Sequence, residues 1–193
     1  MEFVREKTVS INSLKKEIIG YNNKKYTIEE LRQLCPSNLE IKQHIAIEKK
    51  THEFRKKYEL IYNSQADILE NEIWVRLSQK RFENFFVSNK ARIRWITPEG
   101  AIIFLRQDED PSLPGSIGYL VVDAENKYPD LHNLNQRKYL RTYTLVAMAF
   151  LGKRKYEYDG IHVHHIDNNG YNCTPENLIL LDRDTHLQLI HHK

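Results

Sequence analysis

The sequence has little cysteine and no long apolar run, and both absences restrict what the protein can be. Its two cysteines, Cys35 and Cys173, are far apart and form no C-x-x-C pair. This spacing argues against a structural zinc knuckle and a disulfide scaffold, although it leaves a single disulfide open. The N-terminus has no signal-like pattern, and no apolar stretch is long enough to cross a membrane. The sequence therefore predicts a soluble protein of the reducing cytoplasm, with no membrane partner.

The sequence also has almost no excess of positive over negative charge. The formal net charge is only +3 over 193 residues, so global charge does not indicate a polyanionic partner. Any such indication has to come from the local distribution of basic residues. The length allows one large domain or two small ones. Hydrophobic residues make up 40% of the chain, which is enough for a core of modest size.

The most informative stretch is the C-terminal segment that begins at residue 160. Residues 160–166 are β-branched and favour a strand, whereas residues 167–176 are rich in turn-forming Asn, Gly, Pro and Thr. Residues 178–181 form a short apolar run typical of a buried strand. Asp182 can cap a helix in which Leu187 and Ile190 recur at helical spacing. The pattern predicts strand, long polar loop, strand and helix, in that order.

The same segment brings imidazoles together from both of its ends. His164 and His165 close the first strand, and His186 lies near the start of the helix. Because neutral imidazole both ligates metals and titrates near neutral pH, these side chains can act as metal ligands or as a base. Adjacent strand residues point to opposite faces, so we expect the turn to redirect His165 toward the other two. Asn177 can tie the loop back through amide hydrogen bonds and hold the orientation of the base.

This arrangement resembles the HNH endonuclease family, whose catalytic unit is the ββα-metal fold. The resemblance rests on His164-His165 with Asp167, on Pro175-Glu176-Asn177-Leu178, and on His186. The run from Thr144 to Gly152 is similar to the short helix that precedes the motif in phage and homing-type members. The resemblance implies that His164 and His186 are metal ligands, that His165 is the general base, and that Asn177 is a positioning residue. Many relatives carry Asp at the first ligand position, where this chain has His164.

The chemistry that the resemblance implies is metal-dependent hydrolysis of a phosphodiester bond. One divalent cation per chain would neutralise charge on the phosphoryl and leaving oxygens, and His165 would take a proton from the attacking water. Two protein ligands leave several coordination positions open, which favours Mg²⁺. Imidazole ligands also suit Mn²⁺, Ni²⁺ or Zn²⁺. The family implies products with 5′-phosphate and 3′-hydroxyl ends.

Residues 72–95 interleave basic and aromatic side chains. The stretch resembles a small DNA-binding element found ahead of HNH domains in phage nucleases, with Ala91 where that element has glycine. Affinity for a polyanion depends on such local basic surfaces, although a basic face that is merely solvated is the alternative. The residues expected to contact DNA are Arg76, Lys80, Arg81, Lys90, Arg92, Arg94 and, closer to the C-terminal segment, Arg141.

Together these patterns predict an α+β chain in three parts. Residues 1–70 are expected to form a helical N-terminal region and residues 71–135 a β-rich DNA-binding element. Residues 136–193 are expected to form the HNH nuclease domain, a ββα-metal unit.

The expected function is that of a DNA endonuclease of phage or mobile-element type, which nicks or cuts double-stranded DNA. One alternative is a restriction or defence nuclease of the same family. The other is a catalytically inactive DNA-binding protein on the same fold, against which the complete set of motif residues argues. The sequence leaves two oligomeric states open, a monomer that nicks one strand and a homodimer that cuts both strands.

Overall fold

The protein is described here by a computed structural model that covers residues 18–35, 56–58, 60–82, 84–109, 120–123, 139–154 and 159–190. The chain is mixed α+β, as expected, and its strands form several small antiparallel sheets. The helices are α1 (Ile28–Leu34), α2 (Thr142–Phe150) and α3 (Arg183–Ile190). Residues 56–58 and 60–62 are also helical. In the described ranges, no helix has the length and apolar character needed to cross a membrane.

The strands follow one another along the chain and mostly pair with their sequence neighbours. They are β1 (Ile18–Ile19), β2 (Lys25–Tyr26), β3 (Trp74–Arg76), β4 (Phe85–Ser88), β5 (Ile93–Ile96), β6 (Ile102–Phe104), β7 (Gln107–Glu109), β8 (Leu120–Asp123), β9 (Tyr139–Arg141), β10 (Ile161–His165) and β11 (Leu178–Asp182).

The hairpin of β10 and β11 separates two hydrophobic cores. In its register, His164 lies opposite Ile179 and His165 lies opposite Leu178. Paired residues share a face of a sheet, and successive residues alternate between faces. Leu178 belongs to the larger core, which also contains Leu145 and Val146 of α2. The second core lies on the other face and contains Ile18, Tyr26, Leu31, Ile179, Leu181 and Leu189.

The second core is built partly from the N-terminal region, which is not purely helical. Residues 18–26 form the β1–β2 sheet, and the turn between the strands has Asn22 and Asn23 at positive φ, a conformation that Asn tolerates well. Strand β1 contacts β11 and helix α1 contacts α3. A Cβ on Gly20 would lie 2.8 Å from the Tyr26 ring, so glycine permits this close approach. Residues 18–35 therefore pack as part of the C-terminal unit.

One sheet crosses the domain boundary that was expected at residue 136. Strand β8 pairs with β7 on one side and with β9 on the other. Strand β9 leads directly into α2, so one sheet joins the β-rich element to the C-terminal unit. Its Gln107 is buried, accepts a hydrogen bond from Thr142 Oγ1 at 2.7 Å, and donates one to the Ala91 carbonyl at 2.7 Å. A boundary at 136 would separate strands that are hydrogen-bonded to each other.

The four-stranded sheet β3–β4–β5–β6 has one buried face and one face that carries basic and aromatic side chains. Phe85, Val87, Ile93 and Trp95 point into the larger core. The opposite face carries Arg76, Phe86, Arg94 and Phe104 in one cross-strand row. The side chains of this sheet thus alternate between the larger core and a basic, aromatic face.

Candidate functional site

Three histidines lie together on the face of the hairpin that carries the second core. His164 of β10 and His186 of α3 have ring centroids 5.3 Å apart, with the rings nearly perpendicular. His162, two residues before His164, stacks flat on His186 with a centroid distance of 4.6 Å. Helix α3 is held in place because Asp182 Oδ1 accepts a hydrogen bond from Thr185 N–H at 2.9 Å, which confirms the expected cap. Hairpin and helix thus bring both expected metal ligands together.

A cysteine from far upstream joins this cluster. The Cys35 Sγ lies 3.4 Å from His164 Nε2, although the two residues are 129 positions apart in the sequence. Cys35 follows α1 directly, and its N–H donates to the Leu31 carbonyl at 2.8 Å. The histidine cluster is therefore flanked by a sulfur donor as well.

His165 does not share this face. It is the last residue of β10 and still pairs in register with Leu178, so the strand alternation continues through it. Its ring contacts Tyr143 of α2 edge-on, with centroids 5.2 Å apart. The expectation that the turn redirects His165 toward His164 and His186 is therefore wrong, because the ladder does not end early enough for the backbone to turn.

Asn177 ties the loop of residues 166–177 closed, as expected from the sequence. Its Nδ2 donates to Asp167 Oδ1 and to the Asn172 carbonyl, both at 2.8 Å, and its Oδ1 accepts from Asp167 N–H at 3.1 Å. Its own carbonyl accepts from Ile166 N–H at 2.8 Å. Asp167 also holds the loop together, because its carboxylate accepts hydrogen bonds from Asn169 N–H and Asn172 Nδ2. These bonds fix the backbone that immediately follows His165.

Burial sets the protonation states in the cluster. Burial, together with the nearby His186, lowers the pKa of His164 to about 4. Burial and the neighbouring His164 lower the pKa of His165 to about 3. Burial and the Asp167 carboxylate raise the pKa of the Cys35 thiol to about 11. At neutral pH both imidazoles are therefore neutral, which is the form that ligates metals and accepts protons.

The imidazole nitrogens of the cluster can bind a divalent cation, but they are too few to surround it. His164 and His186 offer two imidazole nitrogen donors on adjacent elements, and imidazole suits Mn²⁺, Ni²⁺ and Zn²⁺ as well as mixed nitrogen and water sites. Within the described ranges, no group of three or more His, Cys, Asp and Glu side chains is already arranged to hold a metal ion. A cation would therefore be held by a small number of protein ligands.

One of the residues expected to contact DNA lies in the interior. The Arg92 side chain has no exposed surface, and its Nη1 donates to Glu72 Oε2 at 3.0 Å. Its Nη2 donates to the Ala66 carbonyl, and its guanidinium lies over the rings of Phe104 and Trp74, 4.5 and 5.4 Å from their centroids. Arg92 is therefore a buried ion-pair partner and is not available to phosphate, which corrects the expectation.

The neighbouring Arg94 has a different environment. Its guanidinium lies over Trp74 and Phe86, 4.3 and 5.2 Å from the ring centroids. Among the residues that the structure describes, no carboxylate forms an ion pair with Arg94, and the side chain is partly exposed. A guanidinium held between aromatic rings keeps its charge and its hydrogen-bonding capacity for an anion.

The remaining basic residues lie at several places. Arg76 is exposed at the end of β3, Lys80 is exposed on a short 3₁₀ turn, and Lys90 is half-buried in the β4–β5 turn. Arg141 donates from Nη1 to the hydroxyl of Tyr143 at 3.0 Å, so it adjoins the ring that contacts His165. The side chain of Arg81 lies outside the described residues.

Sequence reasoning did not find the contributions of Cys35, Tyr143 and Glu72. Cys35 approaches the cluster only because the N-terminal residues pack on the hairpin, and nothing near it in the sequence indicates this. Glu72 appears in the sequence as one of two acidic residues in a basic stretch. An isolated acidic residue in such a stretch is a signal for a buried ion pair with one of the arginines.

Comparison with known proteins adds no assignment to this geometry. No protein-family model, no curated protein and no solved structure matches the chain.

Proposed function

We propose that the chain is a metal-dependent DNA endonuclease of the HNH kind, in which residues 161–190 form the ββα-metal unit. The observation that supports this most strongly is the contact of His164 on β10 with His186 on α3, whose ring centroids are 5.3 Å apart. These are the two residues that the resemblance names as metal ligands. They are 22 positions apart in the sequence, and the strand–loop–strand–helix order brings them into contact.

The proposed roles follow from where each side chain lies. His164 and His186 would hold one divalent cation, which supplies charge neutralisation for the phosphoryl group and the leaving oxygen. The braced loop, centred on Asn177 and Asp167, would keep the end of β10 in one conformation. Preorganised positioning of this type avoids reorganisation during the reaction.

His165 would act as the general base from the end of β10. It is neutral at neutral pH, so its ring can accept a proton from water. Because its ring lies on the other face of β10 from His164, the attacking water would have to reach it past the end of the strand, beside Tyr143.

Double-stranded DNA would contact the basic face of the four-stranded sheet and the residues next to α2. On the sheet, Arg76 and Arg94 lie in one cross-strand row with aromatic side chains. Lys80, Lys90 and Arg141 would add phosphate contacts that set the orientation of the duplex. Arg81 stays among the proposed DNA contacts on the basis of the sequence alone. Arg92 is excluded from the proposed DNA contacts because its side chain is buried.

The position of His165 favours a second candidate function, a catalytically inactive DNA-binding protein on the same fold. If no water can reach the buried ring beside Tyr143, the histidine cluster would bind a cation without hydrolysis. The two candidates agree on DNA binding and differ only in strand cleavage.

A plasmid-nicking assay with Mg²⁺ or Mn²⁺, with and without EDTA, separates them. We expect the wild-type protein to convert supercoiled plasmid to open-circle or linear product, and EDTA to abolish the conversion. His164→Ala and His186→Ala should each lose cleavage, whereas Gln188→Ala, an exposed change on the same helix, should retain it.

Cleavage that persists in EDTA, or in both histidine variants, would contradict a metal-dependent site at these residues. DNA binding without cleavage under all metal conditions would select the inactive binding protein instead. His165→Ala should keep DNA binding and lose cleavage, and full activity in that variant would remove His165 from the mechanism.

A further inference from the structure

The sulfur of Cys35 lies beside the proposed metal ligands in a position that the nuclease resemblance does not assign. Its Sγ is 3.4 Å from His164 Nε2, and His164 is in turn in ring contact with His186. A thiol and three imidazoles from three separate parts of the chain therefore meet at one place. Cysteine sulfur and histidine nitrogen are the donors that Zn²⁺ and related ions prefer.

The separation of the two donor atoms is informative. A sulfur about 2.3 Å and a nitrogen about 2.0 Å from one tetrahedral zinc ion lie about 3.5 Å from each other. The observed 3.4 Å is therefore close to the spacing of two neighbouring ligands of one tetrahedral ion. It is also close to the length of a thiol-to-imidazole hydrogen bond, so an experiment has to separate the two arrangements.

Cys35 is held in this position by ordered structure. Helix α1 begins with a reciprocal capping box, in which the Thr27 hydroxyl accepts from Glu30 N–H at 3.2 Å and the Glu30 carboxylate accepts from Thr27 N–H at 2.8 Å. In the middle of the helix, Leu31 has no exposed surface and packs in the second core. Because the first turn and one face of α1 are fixed, the sulfur that follows the helix is preorganised beside His164.

We propose that Cys35 is a third protein ligand of the cation held by His164 and His186, and that the centre selects Zn²⁺ or a similar ion over Mg²⁺. The inference rests on the proposed metal centre described above. On coordination the thiol releases its proton to solvent and the thiolate sulfur donates an electron pair to the cation. Three protein ligands and one open position, filled by water or a substrate oxygen, are the arrangement of catalytic zinc sites.

The ring of His186 has to turn for the three donors to converge. It lies edge-on to His164, with an interplanar angle of 78°, and is stacked on His162 with an angle of 6°. Rotation about the side-chain bonds of His186 would release the stacked His162 and direct a nitrogen toward the space between Cys35 and His164.

Cobalt(II) provides a direct test, because a thiolate bound to Co²⁺ gives a charge-transfer absorption in the near ultraviolet that nitrogen ligands do not give. We would titrate the full-length protein with cobalt(II) chloride and follow this absorption together with the visible bands of the bound ion. The variants are Cys35→Ser and Cys35→Ala, and the matched control is Cys173→Ala, which removes the other thiol of the chain. Circular dichroism would check that each variant folds.

We expect the wild type and Cys173→Ala to show the thiolate band at one cobalt per chain. Both Cys35 variants should lose the band and bind cobalt at least about 10-fold more weakly, the lower limit for loss of even an outer-shell partner. Cobalt bound with visible bands but without the thiolate band would overturn the sulfur ligand and leave the two-histidine centre intact. No cobalt binding at all would overturn both the inference and the metal centre of the proposed function.

Discussion

The C-terminal hairpin and the four-stranded sheet both carry polar side chains on one face, but they arrange them differently. Beside the hairpin, His186 of α3 contacts both His162 and His164 directly. On the sheet, Arg76 and Arg94 lie in one cross-strand row with Phe86 between them. Imidazoles in mutual contact share one small space, as ligands of a single ion do. Guanidinium groups kept apart by aromatic rings form a broad surface, as contacts to an extended polyanion do.

The same comparison shows how two similar residues acquire different roles. Arg92 and Arg94 are two positions apart, yet Arg92 is buried against Glu72 and Arg94 has no carboxylate partner in the described part of the chain. His164 and His165 are adjacent, yet one belongs to the second core and the other faces α2. In both cases the neighbouring element, and not the residue type, determines the role.

The largest expected effect concerns the two arginines. Arg92→Ala leaves the Glu72 carboxylate buried without its partner, so we expect a loss of about 3–5 kcal/mol in the free energy of unfolding. Arg94→Ala removes contacts with two rings, and its cost should be about 1 kcal/mol. Urea unfolding of both variants measures the difference. Equal losses in the two variants would contradict the division of roles between them.

The second-largest expected effect is the loss of stability at Asn177 in the hairpin loop, compared with the loss at Asn89 in a turn of the sheet. Asn177 makes three side-chain hydrogen bonds while nearly buried, so Asn177→Ala should cost about 2–4 kcal/mol. Asn89, which is half-buried, accepts from Ile73 N–H at 2.8 Å and donates to the Asn71 carbonyl at 3.0 Å, and Asn89→Ala should cost about 1–2 kcal/mol. Thermal unfolding of both variants compares them, and a larger loss at Asn89 would reverse the expected order.

A smaller effect concerns DNA affinity. If Arg94 contacts phosphate, Arg94→Ala should weaken duplex binding across sequences and reduce the slope of log affinity against log salt by about 1. Arg106 is the matched control, because it is well exposed and already paired with Asp108 at 3.1 Å. Fluorescence anisotropy over a range of salt concentrations measures both slopes. An unchanged slope in Arg94→Ala, or an equal change in Arg106→Ala, would remove the basic sheet face from the DNA interface.

The smallest expected effect concerns the partly exposed ion pair of Lys153 and Asp159, in contrast to the buried pair of Arg92 and Glu72. Lys153 Nζ donates to Asp159 Oδ1 at 2.8 Å. Burial alone raises the pKa of Asp159, but the hydrogen bond and charge of Lys153 outweigh it, so the pKa lies below its ordinary value of 3.8. A carboxylate with a lowered folded-state pKa stabilises the protein above its unfolded pKa, and this contribution disappears as the pH falls through the folded pKa.

For this pair we expect a contribution of no more than about 1 kcal/mol, since it is partly solvated. The unfolding free energies of the wild type and Asp159→Asn should therefore differ at pH 7 and converge as the pH falls below 3.8. Urea unfolding at a series of pH values measures the difference. A difference that grows toward acid pH would show that the pKa of Asp159 is raised instead.

The sequence predicted the parts of the site that depend on local order. The alternation of apolar residues and the turn-forming loop predicted β10, β11 and α3, and Asp182 was correctly predicted as the cap of α3. The amide hydrogen bonds of Asn177 followed from its place at the end of a polar loop. Both features depend on residues that are close together in the chain.

The parts that were missed depend on long-range packing. Cys35 reaches His164 across 129 residues, and only the docking of residues 18–35 on the hairpin brings it there. Arg92 is buried with Glu72, its ion-pair partner 20 positions earlier in the sequence, and period-two alternation does not distinguish it from Arg94. His165 was placed wrongly because the alternation of side chains between the two faces of β10 continues through it, up to its pair with Leu178.

The central claim is that His164 and His186 together hold one divalent cation. Isothermal titration calorimetry of the metal-free protein with Mn²⁺ and with Zn²⁺ tests it most directly, using wild type, His164→Ala, His186→Ala and the exposed control Gln188→Ala. The account predicts one site per chain in the wild type and Gln188→Ala, and loss of that site in each histidine variant. Unchanged binding in either histidine variant, or no binding of either metal by the wild type, would contradict it.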